Sequence, residues 1–185
     1  MIKIKYILIG MLSLNFLFSC AQTEKLKNGT KIPTRKFKNI GKFNAKILEL
    51  VSPNYFYKKI DFYMADKNFK KVRDIGQDVE RKIQFYENGR IRFFSLRMED
   101  PNPKNAGRRG IIYSKNNFLK IDAQSADQDG SIFITTYSVK LDGDKLYLLE
   151  EEGNSLLFKP SEYICYVYEK SDKIPEDWKL YKADW

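Results

Sequence analysis

The chain has 185 residues, of which 43% are hydrophobic and 31% charged, a balance that predicts one globular domain and excludes a disordered chain. Lys and Arg number 33 against 24 acids, a net charge of +9. There is no His, which excludes Ser-His and Cys-His catalysis, imidazole metal sites and histidine pH switches together.

The first twenty residues carry the most specific signal. Lys3 and Lys5 precede Tyr6–Phe18, a mostly apolar run that suits a secretory signal and is short for a membrane span. The run ends in Leu17-Phe18-Ser19-Cys20. A small residue directly before a Cys, with Leu upstream, resembles the lipobox of bacterial lipoproteins. The resemblance implies a signal peptide over residues 1–19, cleavage before Cys20, and acylation of Cys20, palmitate included. Multiple acyl chains give durable anchoring. Ala21, not Asp, follows the Cys, which for that family implies the outer membrane, and the expected exposure is to the periplasm. Loss of Lys3 and Lys5 with the leader takes the net charge from +9 to +7.

Residues 20–40 are expected to form the lipidated Cys and a basic tether, and residues 41–185 a single β-rich domain. The stretch 43–81 is ambiguous. Ala45–Val51 reads as either a strand or a helical turn. Lys59–Met64 alternates, with Ile60, Phe62 and Met64 on one side, and leans to strand. A further strand fits Phe69–Ile75.

From residue 82 the pattern is β. Asn88-Gly89 between two alternating runs predicts a hairpin with a two-residue turn. That register sets Glu87 opposite Arg90 and Ile83 opposite Phe94. Ile83, Phe85, Phe94 and Leu96 then share a face. Strands over 110–114 and 118–122 follow, joined at Asn116-Asn117, with 99–109 as the longest loop. A second hairpin spans Ser131–Glu151. Its turn is expected at Gly143-Asp144, because that choice pairs Asp142 with Lys145, Leu141 with Leu146 and Val139 with Leu148, and avoids Lys140 against Lys145. Phe133, Thr135, Tyr137, Val139 and Leu141 then form the core face. Strands at 155–158 and 163–170 complete the series, and Trp178 is expected to pack back on the domain. Short strands at this spacing predict an all-β antiparallel meander, closing as a barrel or forming a sandwich.

Candidate chemistry is sparse. Ser125–Ile132 partly resembles a calcium loop, but its final acid position falls on Thr136, so an acidic hairpin turn is the reading. Glu150, Glu151 and Glu152 are adjacent, and neighbours on a strand point to opposite faces, so they do not form a hydrolytic pair. Arg108 and Arg109 lie between Gly107 and Gly110, where guanidinium groups suit a carboxylate or phosphate, or simply a solvated turn. Cys165 lies in an apolar run and reads as a buried, inert thiol; with Cys20 acylated no disulfide forms. No metal, cofactor or nucleic-acid partner is expected, and no catalytic residue is assigned.

The signal peptide, the meander and the closing Tyr166-Val167-Tyr168-Glu169-Lys170 resemble lipocalin-like bacterial lipoproteins. The resemblance implies a barrel, and no binding residue is carried over from it; a ligand-binding barrel is expected to have a hydrophobic cavity lined by alternate residues such as Phe85, Phe94, Phe133 and Tyr137. The expected function is non-enzymatic binding of an apolar or amphipathic small molecule by a protein held to the membrane through Cys20. The alternative is a structural or protein-interaction lipoprotein of the envelope, with a filled core.

Overall fold

A computed structural model describes residues 23–33, 36–95, 97–126, 131–151 and 160–185. The expected signal peptide, Cys20, Leu96, the expected acidic turn at 127–130 and the expected strand at 155–158 lie outside the described residues.

Two short strands, β1 (Thr23–Lys25) and β2 (Lys31–Pro33), pair as a hairpin. The remaining strands are β3 (Tyr55–Ala65), β4 (Lys71–Asp74), β5 (Arg81–Phe85), β6 (Arg90–Ser95), β7 (Arg108–Lys115), β8 (Phe118–Ala126), β9 (Ile132–Asp142), β10 (Lys145–Glu151) and β11 (Tyr163–Lys173). They form one antiparallel sheet in the order β11-β10-β9-β8-β7-β6-β5-β3-β4. β11 also pairs with β3, from Tyr163↔Ala65 to Lys173↔Tyr55. Eight strands therefore close into a lipocalin-like barrel, and β4 is an extra strand beside β3. Closure removes the two open edges that a sandwich would have to protect.

The β9–β10 hairpin has the register expected from its charges, with Asp142↔Lys145, Leu141↔Leu146 and Val139↔Leu148. The β5–β6 hairpin does not have the expected one. Tyr86 N–H donates to the Arg90 carbonyl at 2.9 Å, and Gly89 N–H donates to the Tyr86 carbonyl at 3.0 Å. The loop is thus Glu87-Asn88-Gly89, with Gly89 in the left-handed region at φ +77°. This is the three-residue hairpin loop with a glycine bulge. Ile83 pairs with Phe93, and Phe85 with Ile91. Phe94 consequently pairs with Lys82 and turns to the other face.

The ambiguous stretch resolves into both kinds of element. Ala45–Glu49 is a short 3-10 turn, with Asn44 capping the Lys46 N–H at 3.0 Å. It drives Ile47 and Val51 into one end of the barrel, where both are buried. β3 is a strand, but it is bulged. Tyr168 pairs with Lys59 and Val167 with Asp61, so Ile60 has no partner on β11. Ile60 is 48% exposed as a result, and does not share the inner face with Phe62 and Met64.

Inside the barrel, Tyr57, Ile83, Phe85, Ile91, Ile112, Ile121, Leu146, Leu148 and Tyr168 form one buried cluster with Ile47 and Val51. The closed end is therefore filled with side chains. Hydrophobic clusters also cover the outer wall. Phe56 and Phe94 pack under Ile174 and Trp178, with Trp178 edge-on to Phe56 at 5.2 Å. Phe37 and Trp185 pack on Ile111 and Tyr113. The third group gathers Tyr63, Leu149, Cys165 and Val167. Arg92, fully buried outside the barrel, lies 4.3 Å from the Phe94 ring and donates to the carbonyls of Asp100 and Pro101, which pins the long loop before β7.

Candidate functional site at the barrel mouth

The end of the barrel opposite the Ile47–Val51 plug has a different lining. Strand alternation sends Arg81 of β5 inward in phase with Ile83, and Arg108 of β7 inward in phase with Ile112. Tyr137 and Glu150 are directly paired across β9 and β10. Tyr166 pairs with Phe62, and Tyr168 with Lys59. Six strands thus direct polar or aromatic groups into one cup.

Its geometry is built around Arg81. The guanidinium lies 5.3 Å from the centre of the Tyr166 ring, a cation–π contact. Tyr166 in turn contacts Tyr137, with ring centres 6.1 Å apart, and Phe62, at 5.1 Å. Arg81 Nη2 donates to Asp78 at 3.2 Å, and Lys59 Nζ donates to the same carboxylate at 2.5 Å. Lys59 also donates to the carbonyl of Val79. Arg81 Nε is buried and has no hydrogen-bond partner among the described residues. That leaves one oriented donor of the fork unused, at a site where an unmet donor is costly.

The electrostatics follow from burial and mixed charge. Burial opposes ionisation of Asp78, but the hydrogen bond from Lys59 and the charge of Arg81 outweigh it and hold the carboxyl below its usual range. Burial pushes Lys59 down, against the pull of Asp78. Tyr137, Tyr166 and Tyr168 are all pushed up, chiefly by burial, so their hydroxyls remain protonated donors. Glu150 raises Tyr137 and Tyr166 further, and Arg108, inward by its pairing with Phe93, acts on all three tyrosines in the opposite sense, so both signs of charge meet at this end. The arrangement suits recognition of an anionic group by two guanidinium groups and several phenols, above an apolar floor.

The four residues expected to line an internal cavity do not do so together. Phe85 is packed in the closed-end core. Tyr137 is buried in the same cluster, nearer the mouth and against Tyr166. Phe94 is on the outside of the wall against Phe56 and Trp178, because of the one-residue shift in the β5–β6 register. Phe133 is 46% exposed, near the start of β9. Of the Arg108–Arg109 pair, only Arg108 enters the cup. Arg109 faces outward, 3.2 Å from Glu24 and 5.4 Å from the Trp185 ring centre. Arg81 was not singled out by sequence reasoning. Its signal is the alternation Arg81-x-Ile83-x-Phe85, which marks it as the first inward residue of a core strand.

Glu151 points away from the cup, where it accepts from Ser138 at 2.5 Å and from Lys120. Cys165 is fully buried on the outer wall, and burial pushes its thiol up to about 11. Among the described residues, no three acid or cysteine side chains gather as a metal ion would require. Nor is any described helix long and apolar enough to cross a membrane.

Comparison with protein-family models, with curated proteins and with solved structures found no match.

Proposed function

We propose that this protein is a membrane-anchored binding protein, held through an acylated Cys20, that takes an amphipathic small molecule bearing an anionic group at the barrel mouth. It carries out no chemistry on that molecule. The observation that supports the reading is the convergence of Arg81, Arg108 and three phenols above the apolar interior, with the Arg81 Nε donor without a partner among the described residues. The buried end of the barrel is filled, so the apolar part of the ligand occupies the aromatic rim around Phe62, Tyr137 and Tyr166.

The test is native mass spectrometry of the chain from Ala21 onward, isolated without detergent, followed by titration with the anionic amphiphile anilinonaphthalene sulfonate. The expected outcome is a discrete extra mass released on denaturation, and saturable dye binding. Loss of one charge-assisted contact through Arg81→Gln or Arg108→Gln should weaken that binding about tenfold. A clean apoprotein mass, with dye binding indifferent to both arginines, would overturn the reading. The filled closed end would then favour the second one, a protein-interaction lipoprotein of the envelope.

A further inference from the structure

The segment expected to be a tether is partly docked. In the β1–β2 hairpin Leu26 and Ile32 are buried against the barrel. Asn28 N–H donates to the Asn105 carbonyl at 3.0 Å, Gln124 Nε2 donates to the carbonyl of Lys31, and Arg109 holds Glu24 at 3.2 Å. The chain is therefore fixed to the outer wall as far back as Thr23.

Thr23 lines a cleft of about 430 Å³ on that wall, with Pro33, Phe37, Ile132, Phe133 and Ile134. Cys20 is three residues earlier. Three residues reach about 11 Å at full extension, which is the farthest from Thr23 that an acyl anchor on Cys20 can be attached. A second groove continues along the same wall, sharing Asn39, Phe133, Ile134 and Thr136, and runs to Phe118. Phe118, Phe133 and Ile134 are 69%, 46% and 44% exposed. Lys36 and Lys38 of the cleft and Lys115 of the groove are all exposed. The acids here are Asp122, buried and held by Asn39, Tyr113 and Thr136 at 2.9, 3.0 and 2.8 Å, and, in the second groove, Glu150 and Glu151, the latter paired with Lys120.

We infer that the β8–β9 wall, with the β1–β2 hairpin on it, is the face that lies on the lipid bilayer, Phe118 and Ile134, which strand alternation turns outward, entering the headgroup layer and the surrounding lysines meeting anionic headgroups. The inference rests on acylation of Cys20. The barrel then has one fixed orientation instead of hanging from a mobile tether. Exposed aromatic and aliphatic groups ringed by lysines are the chemistry of interfacial binding, and a short connection between anchor and wall leaves few other orientations.

The experiment uses the full mature lipoprotein in vesicles of phosphatidylethanolamine and phosphatidylglycerol. Intact mass first reports whether Cys20 is acylated. Nitroxide labels are then attached to Phe118→Cys, Ile134→Cys and Val72→Cys. The first two sites are on the wall, and Val72, 52% exposed on β4, is on the far side of the barrel. The buried Cys165 does not compete for label. All three substituted side chains are exposed, and melting curves confirm that the variants fold. The expected result is several-fold lower accessibility to an aqueous nickel relaxant, and higher accessibility to oxygen, at 118 and 134 than at 72. Acylated protein with equal water access at the three sites would overturn the orientation while leaving the anchor intact. An unacylated Cys20 would overturn both.

Discussion

Arg108 and Arg109 are neighbours in sequence and serve opposite sides of one wall. Arg108 places its charge among Tyr137, Tyr166 and Tyr168 inside the barrel, whereas Arg109 binds Glu24 outside, at 3.2 Å, and stacks near Trp185. One strand position separates the proposed ligand site from the docking of the β1–β2 hairpin.

Their substitutions should separate accordingly. Arg108→Gln lowers affinity for an anionic amphiphile about tenfold and leaves the melting temperature nearly unchanged. Arg109→Gln leaves that affinity unchanged and costs up to about 1 kcal/mol of stability, since its partner Glu24 is half exposed. Dye titration and urea unfolding on the two variants, side by side, check both halves. Identical phenotypes would remove the distinction.

Gly89 is required for two reasons at once. Its φ is +77°, and a Cβ there would lie 2.4 Å from the Phe43 ring. Gly89→Ala should therefore destabilise the protein by about 2 kcal/mol or more, combining backbone strain with displacement of Phe43 from the edge of the core. Urea denaturation gives the value. A change below about 0.5 kcal/mol, the range of an ordinary surface substitution, would show that the bulged loop is not the native one.

The Asp78 carboxyl makes an acid-side contribution to stability. Burial opposes its charge, but Lys59 and Arg81 outweigh that and depress its folded value. A depressed folded value means stability that is fully present above the unfolded carboxyl value of about 3.9 and is lost as pH falls through the lower folded one. Asp78→Asn should therefore be less stable than the parent at neutral pH, and the gap should narrow in acid, below about pH 4. Urea midpoints at a series of pH values test this. A gap independent of pH would assign the effect to packing.

Cys165 should behave as a sealed thiol. It is fully buried, and burial pushes it up to about 11, so at pH 8 the thiolate fraction is on the order of one in a thousand even before access is considered. Reaction with a disulfide reagent should be slow in the folded protein and become fast on unfolding. Rapid native labelling would contradict the packing of Tyr63, Leu149 and Val167 around it.

Much of the strand pattern was legible locally. Around Gly143-Asp144, only one register pairs Asp142 with Lys145, Leu141 with Leu146 and Val139 with Leu148, and that register is present. Charge and alternation act over a few residues there, so the sequence carries enough information. Around Asn88-Gly89 the same reasoning chose the shorter loop, because a two-residue and a three-residue turn are both compatible with Asn-Gly. What distinguishes them is distant in sequence: Phe43 sits over Gly89, and Phe94 finds Phe56 and Trp178 on the outer wall.

By itself, the sequence determined an all-β antiparallel domain and most of its strands, because alternation and turn chemistry are local properties. Closure was decided by pairing β3 with β11, an interaction between chain segments about a hundred residues apart. The same is true of the mouth. Arg81, Arg108, Tyr137, Glu150 and Tyr166 are each ordinary strand residues in the sequence, and they become one site because closing the sheet turns the same face of every strand toward a common axis.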